Sequence, residues 1–206
     1  LKTTLQFLEP FTVFAPNDDA FAALPEGTIE SLTAEQLTQI LTYHVIDGEI
    51  FAGDLEAQQT PSSLNGEELF ISAENGSVTV NGNSNVVSAD IEATNGVIHA
   101  VDAVLLPDAF GTIVDNVTKR FEYSILASLI PDDLISVLQD EELTLFAPTN
   151  AAFEAIPSEV LNSLTGEQVE QILTYHLVAG TTLAGDIPAQ TDVESLQGEL
   201  LLLQSV

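Results

Sequence analysis

Apolar and polar positions alternate over "FTVFAP" (residues 11–16) and again over "LTLFAP" (residues 143–148), each closed by proline, and predict two short strands. Downstream the period changes. Leu37, Ile40, Leu41 and His44 fall at i, i+3, i+4 and i+7, as do Val169, Ile172, Leu173 and His176, which predicts two amphipathic helices with each histidine on the buried stripe. Thr33 and Thr165 open them, with Gln36 and Gln168 three residues later in the spacing of a capping box, and Gly48 and Gly180 are expected to end the element. Four strand-like runs follow, "LFISA", "SVTVNG", "NVVSADIEA" and "GVIHAVDAVLLP", separated by Asn75–Gly76, Asn81–Gly82 and Asn95–Gly96. Asn-Gly is a strong hairpin signal, because both residues tolerate positive φ. Residues 112–130 return to a helical period with Ile113, Val117, Phe121, Ile125 and Leu129 as the expected buried face.

The recurrence is a duplication. The phenylalanines at 14 and 146 and the histidines at 44 and 176 are each 132 residues apart, and the offset holds through "SLNGEEL" and "SLQGELL". A period this long is a duplicated domain rather than a solenoid repeat. The expected domains are 1–110 and 111–206, each α+β: a small β-sheet wedge packed with several short helices. The first lacks a counterpart of the 112–130 helix and the second lacks counterparts of the strands at 76–107, so the chain reads as a window on a longer polypeptide.

Charge narrows the function. Against 32 acidic residues stand three cations, Lys2, Lys119 and Arg120, for a net charge of −29. Phosphate backbones and anionic lipid surfaces would be repelled, which excludes nucleic acid as a partner. No run of about 18 apolar residues exists to span a membrane, so no membrane insertion is expected within the chain. With 45% apolar residues the chain has material for packed cores, and without cysteine it has no disulfide or thiolate chemistry.

Three motifs carry a family resemblance: "FTVFAPNDDAF" and "LTLFAPTNAAF", the pairs Tyr43–His44 and Tyr175–His176, and "IHAVDAVLLP" (residues 98–107) in the first unit. The chain resembles tandem fasciclin domains, the modules of secreted and cell-surface adhesion proteins. The resemblance implies non-enzymatic adhesion or matrix association, with location outside the cell, at its surface or in a periplasm. It marks Phe14, Ala15, Pro16, Phe146, Ala147, Pro148 and His99 as structural motif positions. It also implies binding contacts near Tyr43, His44, Tyr175, His176 and Asp102. The implied partners are further copies of the chain, other cell-surface or matrix proteins, or glycans.

The residues themselves favour a structural role for the Tyr-His pairs. A histidine on an apolar stripe is expected buried and neutral, bonded through both ring nitrogens. His99 and Asp102 stand three apart in a strand pattern, hence on opposite faces, and no zinc-type ligand set is expected. "NDD" (residues 17–19) reads as a helix cap through Asn17 or Asp18, matched by Thr149 or Asn150, rather than as a calcium ligand. No G-x-S-x-G or phosphate-cradling glycine loop occurs, so neither an enzyme nor a cofactor is expected, and divalent cations would associate only loosely with the acidic surface. Asn75 and Asn116 match the N-glycosylation pattern, Asn75 as the more accessible. A small-ligand or glycan-binding protein is the alternative, and 6% aromatics without tryptophan weighs against it.

Overall fold

A computed structural model describes residues 10–204, the Asp140 side chain excepted; Lys2 lies outside that range. The chain divides into two compact units, Leu1–Gly111 and Thr112–Val206.

In the first unit β1 (Phe11–Pro16) leads into three helices, α1 (Asp18–Ala22), α2 (Thr28–Ser31) and α3 (Ala34–Tyr43). Six strands follow: β2 (Val45–Asp47), β3 (Gln58–Gln59), β4 (Ile71–Glu74), β5 (Ser77–Val80), β6 (Ser84–Ala93) and β7 (Gly96–Val101). They form one sheet in the order β2-β1-β7-β6-β5-β4-β3, with β1 and β7 parallel. Two expected hairpin signals act as turns: Asn75 and Gly76 take φ of 52° and 81°, and Asn81 and Gly82 take 53° and 74°. The core gathers Phe14, Tyr43, Ile46, Leu69, Ile71, Val80, Val101 and Leu105.

The second unit opens with α4 (Ile113–Thr118), α5 (Ser124–Leu129) and α6 (Asp132–Asp140). It continues with β8 (Leu143–Leu145), α7 (Asn150–Glu154), α8 (Ser158–Ser163), α9 (Gly166–Tyr175), β9 (Leu177–Ala179), β10 (Thr191–Glu194) and β11 (Leu200–Leu203). Here the strands make two separate pairs, β8 with β9 and β10 with β11. Val117, Leu126, Leu134, Leu138, Phe153, Leu173 and Leu177 form the core.

Three sequence expectations change. The helix expected over 112–130 is broken by a 3-10 turn at Phe121–Tyr123, with Arg120 extended at φ −93° and ψ 128°. Asn150 holds this break: its side-chain carbonyl accepts from Ile125 N–H at 3.0 Å, and its amide donates to Phe121 O at 2.9 Å and Ser124 Oγ at 3.0 Å. Asn150 is therefore a clamp between helices, and Thr149, at the cap position of α7, makes no side-chain cap bond. The break changes the buried face, so Val117 and Leu126 are buried while Phe121, Ile125 and Leu129 are only partly so. Second, α3 and α9 end at Tyr43 and Tyr175, leaving each histidine as the C-cap and each glycine beyond the following strand. Third, the apolar stripe is not uniformly buried: Ile40 is covered, but Leu37 and Leu41 are 41% and 38% exposed.

Both capping boxes are present. Thr33 accepts from Gln36 N–H at 3.2 Å and Gln36 Oε1 accepts from Thr33 N–H at 2.9 Å, with the same exchange between Thr165 and Gln168. Thr33→Ala and Thr165→Ala should each lower stability by about 1 kcal/mol, read from urea denaturation midpoints. Asn17 caps α1 as expected, accepting from Ala20 N–H at 2.8 Å.

Candidate functional site

Tyr43 and His44 sit where α3 turns into β2, and each is consumed by the fold. The Tyr43 hydroxyl donates to Glu68 O at 3.0 Å and accepts from the Asn81 side-chain amide at 2.9 Å. Asn81 in turn accepts from Phe70 N–H through Oδ1 at 3.0 Å, so one buried tyrosine ties the helix end to the start of β4. His44 Nδ1 lies 2.7 Å from Ile40 O, and His44 Nε2 lies 3.0 Å from Leu105 N. A carbonyl only accepts and an amide N–H only donates, so the ring carries its proton on Nδ1 and is neutral. Desolvation by burial holds His44 below the ordinary histidine value of 6.5, partly opposed by the Ile40 carbonyl.

His99, on β7, is buried with its Nε2 2.8 Å from Ile50 O, and its Nδ1 accepts from Asp90 N–H at 3.3 Å. Register shifts in the β6–β7 pairing around Ser88, together with Asp90 at φ 57°, bring that amide to the ring. Asp102 is bonded elsewhere, accepting from Asn85 N–H at 2.6 Å and from its side-chain amide at 3.0 Å. His99 and Asp102 are thus not brought together. Asn75 is exposed in the β4–β5 turn, whereas Asn116 lies within α4 with Oδ1 buried.

The second unit repeats these contacts only in part. Phe14 N–H donates to His44 O, and Phe146 N–H to His176 O, each at 2.9 Å. Thr12 and Thr144 each donate to the glycine carbonyl at 48 and 180, at 2.7 Å. His176 Nδ1 lies 2.7 Å from Ile172 O, but its ring is half-buried and Tyr175 reaches Leu200 O only at 3.4 Å. The stripe reading therefore overstated the burial of His176. In the first unit the closing segment after β7 covers His44, and no described residue of the second unit plays that part.

The converse holds on the other side of the helices. Phe153 and Leu173 are 9% and 5% exposed under α4–α6, whereas Phe21 and Leu41, their counterparts 132 residues earlier, are 43% and 38% exposed. Among the described residues of the first unit, an apolar groove of about 340 Å³ is bounded by β1, the three helices and residues 104–110. Ala15 and Pro16 line it, and among the described residues His44 is the one ionisable group of its lining. Sequence reading missed the groove, although two apolar positions beyond the buried ones on α3 were its signal. It also missed Asn81, whose Asn-Gly context announced a turn but not a buried amide.

Residues 1–107 and 121–205 match the fasciclin domain family. The chain is 51% identical over 102 residues to the Synechocystis protein sll1483, covering 48% of this chain and 56% of that one. It is 32% identical to the pig transforming growth factor-beta-induced protein ig-h3, over 93% of this chain and 29% of the relative. Identity to human periostin is 33%, over 98% of this chain and 25% of the relative. The chain thus spans from a quarter to just over half the length of these curated relatives. Its fold matches a FAS1 domain pair from the insect cell adhesion molecule fasciclin I with a TM-score of 0.68 at 17% identity, covering 98% of this chain and 78% of that one. The chain belongs to the fasciclin domain family, with two matching segments across almost its whole length.

Proposed function

We propose that the chain is a non-enzymatic adhesion or matrix-association module that acts outside the cell through the surfaces of two fasciclin domains, divided near residues 110–111. The observation that carries this reading is the use of the Tyr43–His44 pair: every polar atom of its two rings is bonded within the fold. The relatives' names point the same way, since the structural match comes from a cell adhesion molecule. Among the described residues no helix is long and apolar enough to cross a membrane. Asp102, half-buried just after β7, is the motif position a partner would reach without unpacking the first core.

The partner proposed is another copy of the chain or a surface protein or glycan of the matrix. Repetition of a domain multiplies weak contacts through effective concentration, but a charge of −29 opposes contact between copies until it is screened or bridged. Added sodium chloride or calcium should therefore raise the apparent mass in light scattering. A flat trace across both titrations would remove self-association from the proposal. Where the host glycosylates, Asn75 in its exposed turn is the acceptor, rather than Asn116.

A second reading, binding of a small apolar ligand, is favoured by the groove alone, whose lining is almost wholly hydrophobic. Saturable enhancement of an apolar dye's fluorescence, abolished by Leu41→Asp, supports it; dye binding unchanged by that substitution counts against it.

A further inference from the structure

We propose that His44 is an acid-sensitive latch: when its ring takes a second proton, residues 103–110 detach from α3. The geometry sets the mechanism. Residues 103–110 follow β7, and Val104, Leu106 and Phe110 form one wall of the groove. Between the first two, Leu105 turns inward, 1% exposed, and donates its N–H to His44 Nε2 at 3.0 Å. The other ring nitrogen is anchored to Ile40 O at 2.7 Å, so the imidazole spans from α3 to the segment.

A second proton has one place to go, Nε2, and that nitrogen already faces an N–H. Two donors then point at each other, the Leu105 amide loses its acceptor, and the charged ring lies among apolar groups. Among the described residues the surroundings offer no counter-charge, and the groove lining contains no carboxylate or cation. On the elements packed around His44, β1 carries no titratable residue, α3 carries exposed Glu35 in its first turn and Tyr43, and β2 carries exposed Asp47. On the closing stretch, the Asp102 carboxylate is bonded to Asn85, and the backbone N–H of Asp108 donates to Glu67 Oε2 at 2.8 Å. The stable answer to protonation is separation of 103–110 from α3, which lets water reach the His44 ring.

The direction of the pH effect follows from linkage. Burial lowers the closed-state pKa of His44 below the 6.5 of the open state, so the open state binds more protons. Closure is at full strength above about 6.5 and weakens as pH falls from there through the closed-state pKa. Over that window the opening constant rises roughly tenfold per pH unit for one proton taken up. His176 supplies an internal control: its Nδ1 makes the same carbonyl contact, but no described residue donates to its Nε2.

Hydrogen exchange followed by mass spectrometry between pH 7.5 and 5.0, corrected for intrinsic exchange, tests the latch on the whole chain. Exchange in peptides covering 103–110 should rise as stated while β7 stays protected. His44→Gln should flatten the dependence, and His176→Gln should leave it intact. pH-independent opening of 103–110, or parallel opening of β7 that marks global unfolding, overturns the proposal. Should His44→Gln not fold, NMR of the wild-type chain decides: the His44 ring and the Leu105 amide must titrate with one midpoint, and separate midpoints overturn it.

Discussion

Gly96→Ala is expected to unfold the first unit under conditions in which the unsubstituted chain is folded. Gly96 opens β7 at φ 148°, a conformation that L side chains rarely adopt. A methyl group there would fall onto the Phe11 carbonyl oxygen and within 2.8 Å and 2.9 Å of the Phe11 nitrogen and carbon. Neither strand has room to retreat. Phe11 pairs with Gly96 on one side and with Asp47 on the other, so moving β1 away from β7 drives it into β2. Backbone strain and a lost strand pairing together put the cost at about 3 kcal/mol or more, a large share of the stability of a small domain. Urea denaturation monitored by hydrogen exchange should show β1 and β7 unprotected in the variant while α9 keeps its protection. An unchanged midpoint for the first unit would mean that the close approach at Phe11 is relieved at little cost.

The second large effect is an asymmetry between two identical motifs. Tyr43→Ala should cost about 3–5 kcal/mol, because a wholly buried aromatic side chain leaves a cavity. Tyr43→Phe keeps the ring and removes only the hydroxyl. It strands the buried Asn81 amide, for a loss of about 1–3 kcal/mol. Tyr175→Phe should change stability by less than about 0.5 kcal/mol, since its hydroxyl reaches a single carbonyl at 3.4 Å in an exposed setting. Thermal unfolding of the three variants, side by side, reads the difference. Equal losses for the two Phe substitutions would show that the motif contributes alike in both units.

Much of the fold was legible because its signals are local. Capping boxes need only residues three apart, which is why the starts of α3 and α9 were placed from Thr33 and Thr165. The Asn-Gly turns at 75–76 and 81–82 follow from the tolerance of both residues for positive φ. The break between α4 and α5 was not legible, because it depends on Asn150, some thirty residues downstream, whose amide takes up backbone groups that a continuous helix would have bonded to itself. Register shifts in β6 are of the same kind, written by the need to bring Asp90 to a histidine nine residues away rather than by any alternation in the strand.

The candidate site divides along the same line. Periodicity correctly placed His44 in the interior and argued for a neutral, doubly bonded ring, yet could not name Leu105, 61 residues on, as the partner. Nor could it separate Leu37 and Leu41 from Ile40, since all three satisfy the same helical spacing.

By itself the sequence determined that there are two copies of one α+β module, where the main helices begin, and that the chain carries a net charge of −29. Those properties reside in short-range patterns and in charge, which persist whatever the chain packs against. Tertiary structure alone decided what each copy buries. The Tyr-His pair at 43–44 is sealed by Asn81 and Leu105, and Phe153 and Leu173 are covered under α4–α6. Burial depends on which distant segment lies on top, and in this protein α4–α6 cover one face of the second copy while the segment after β7 covers the opposite face of the first.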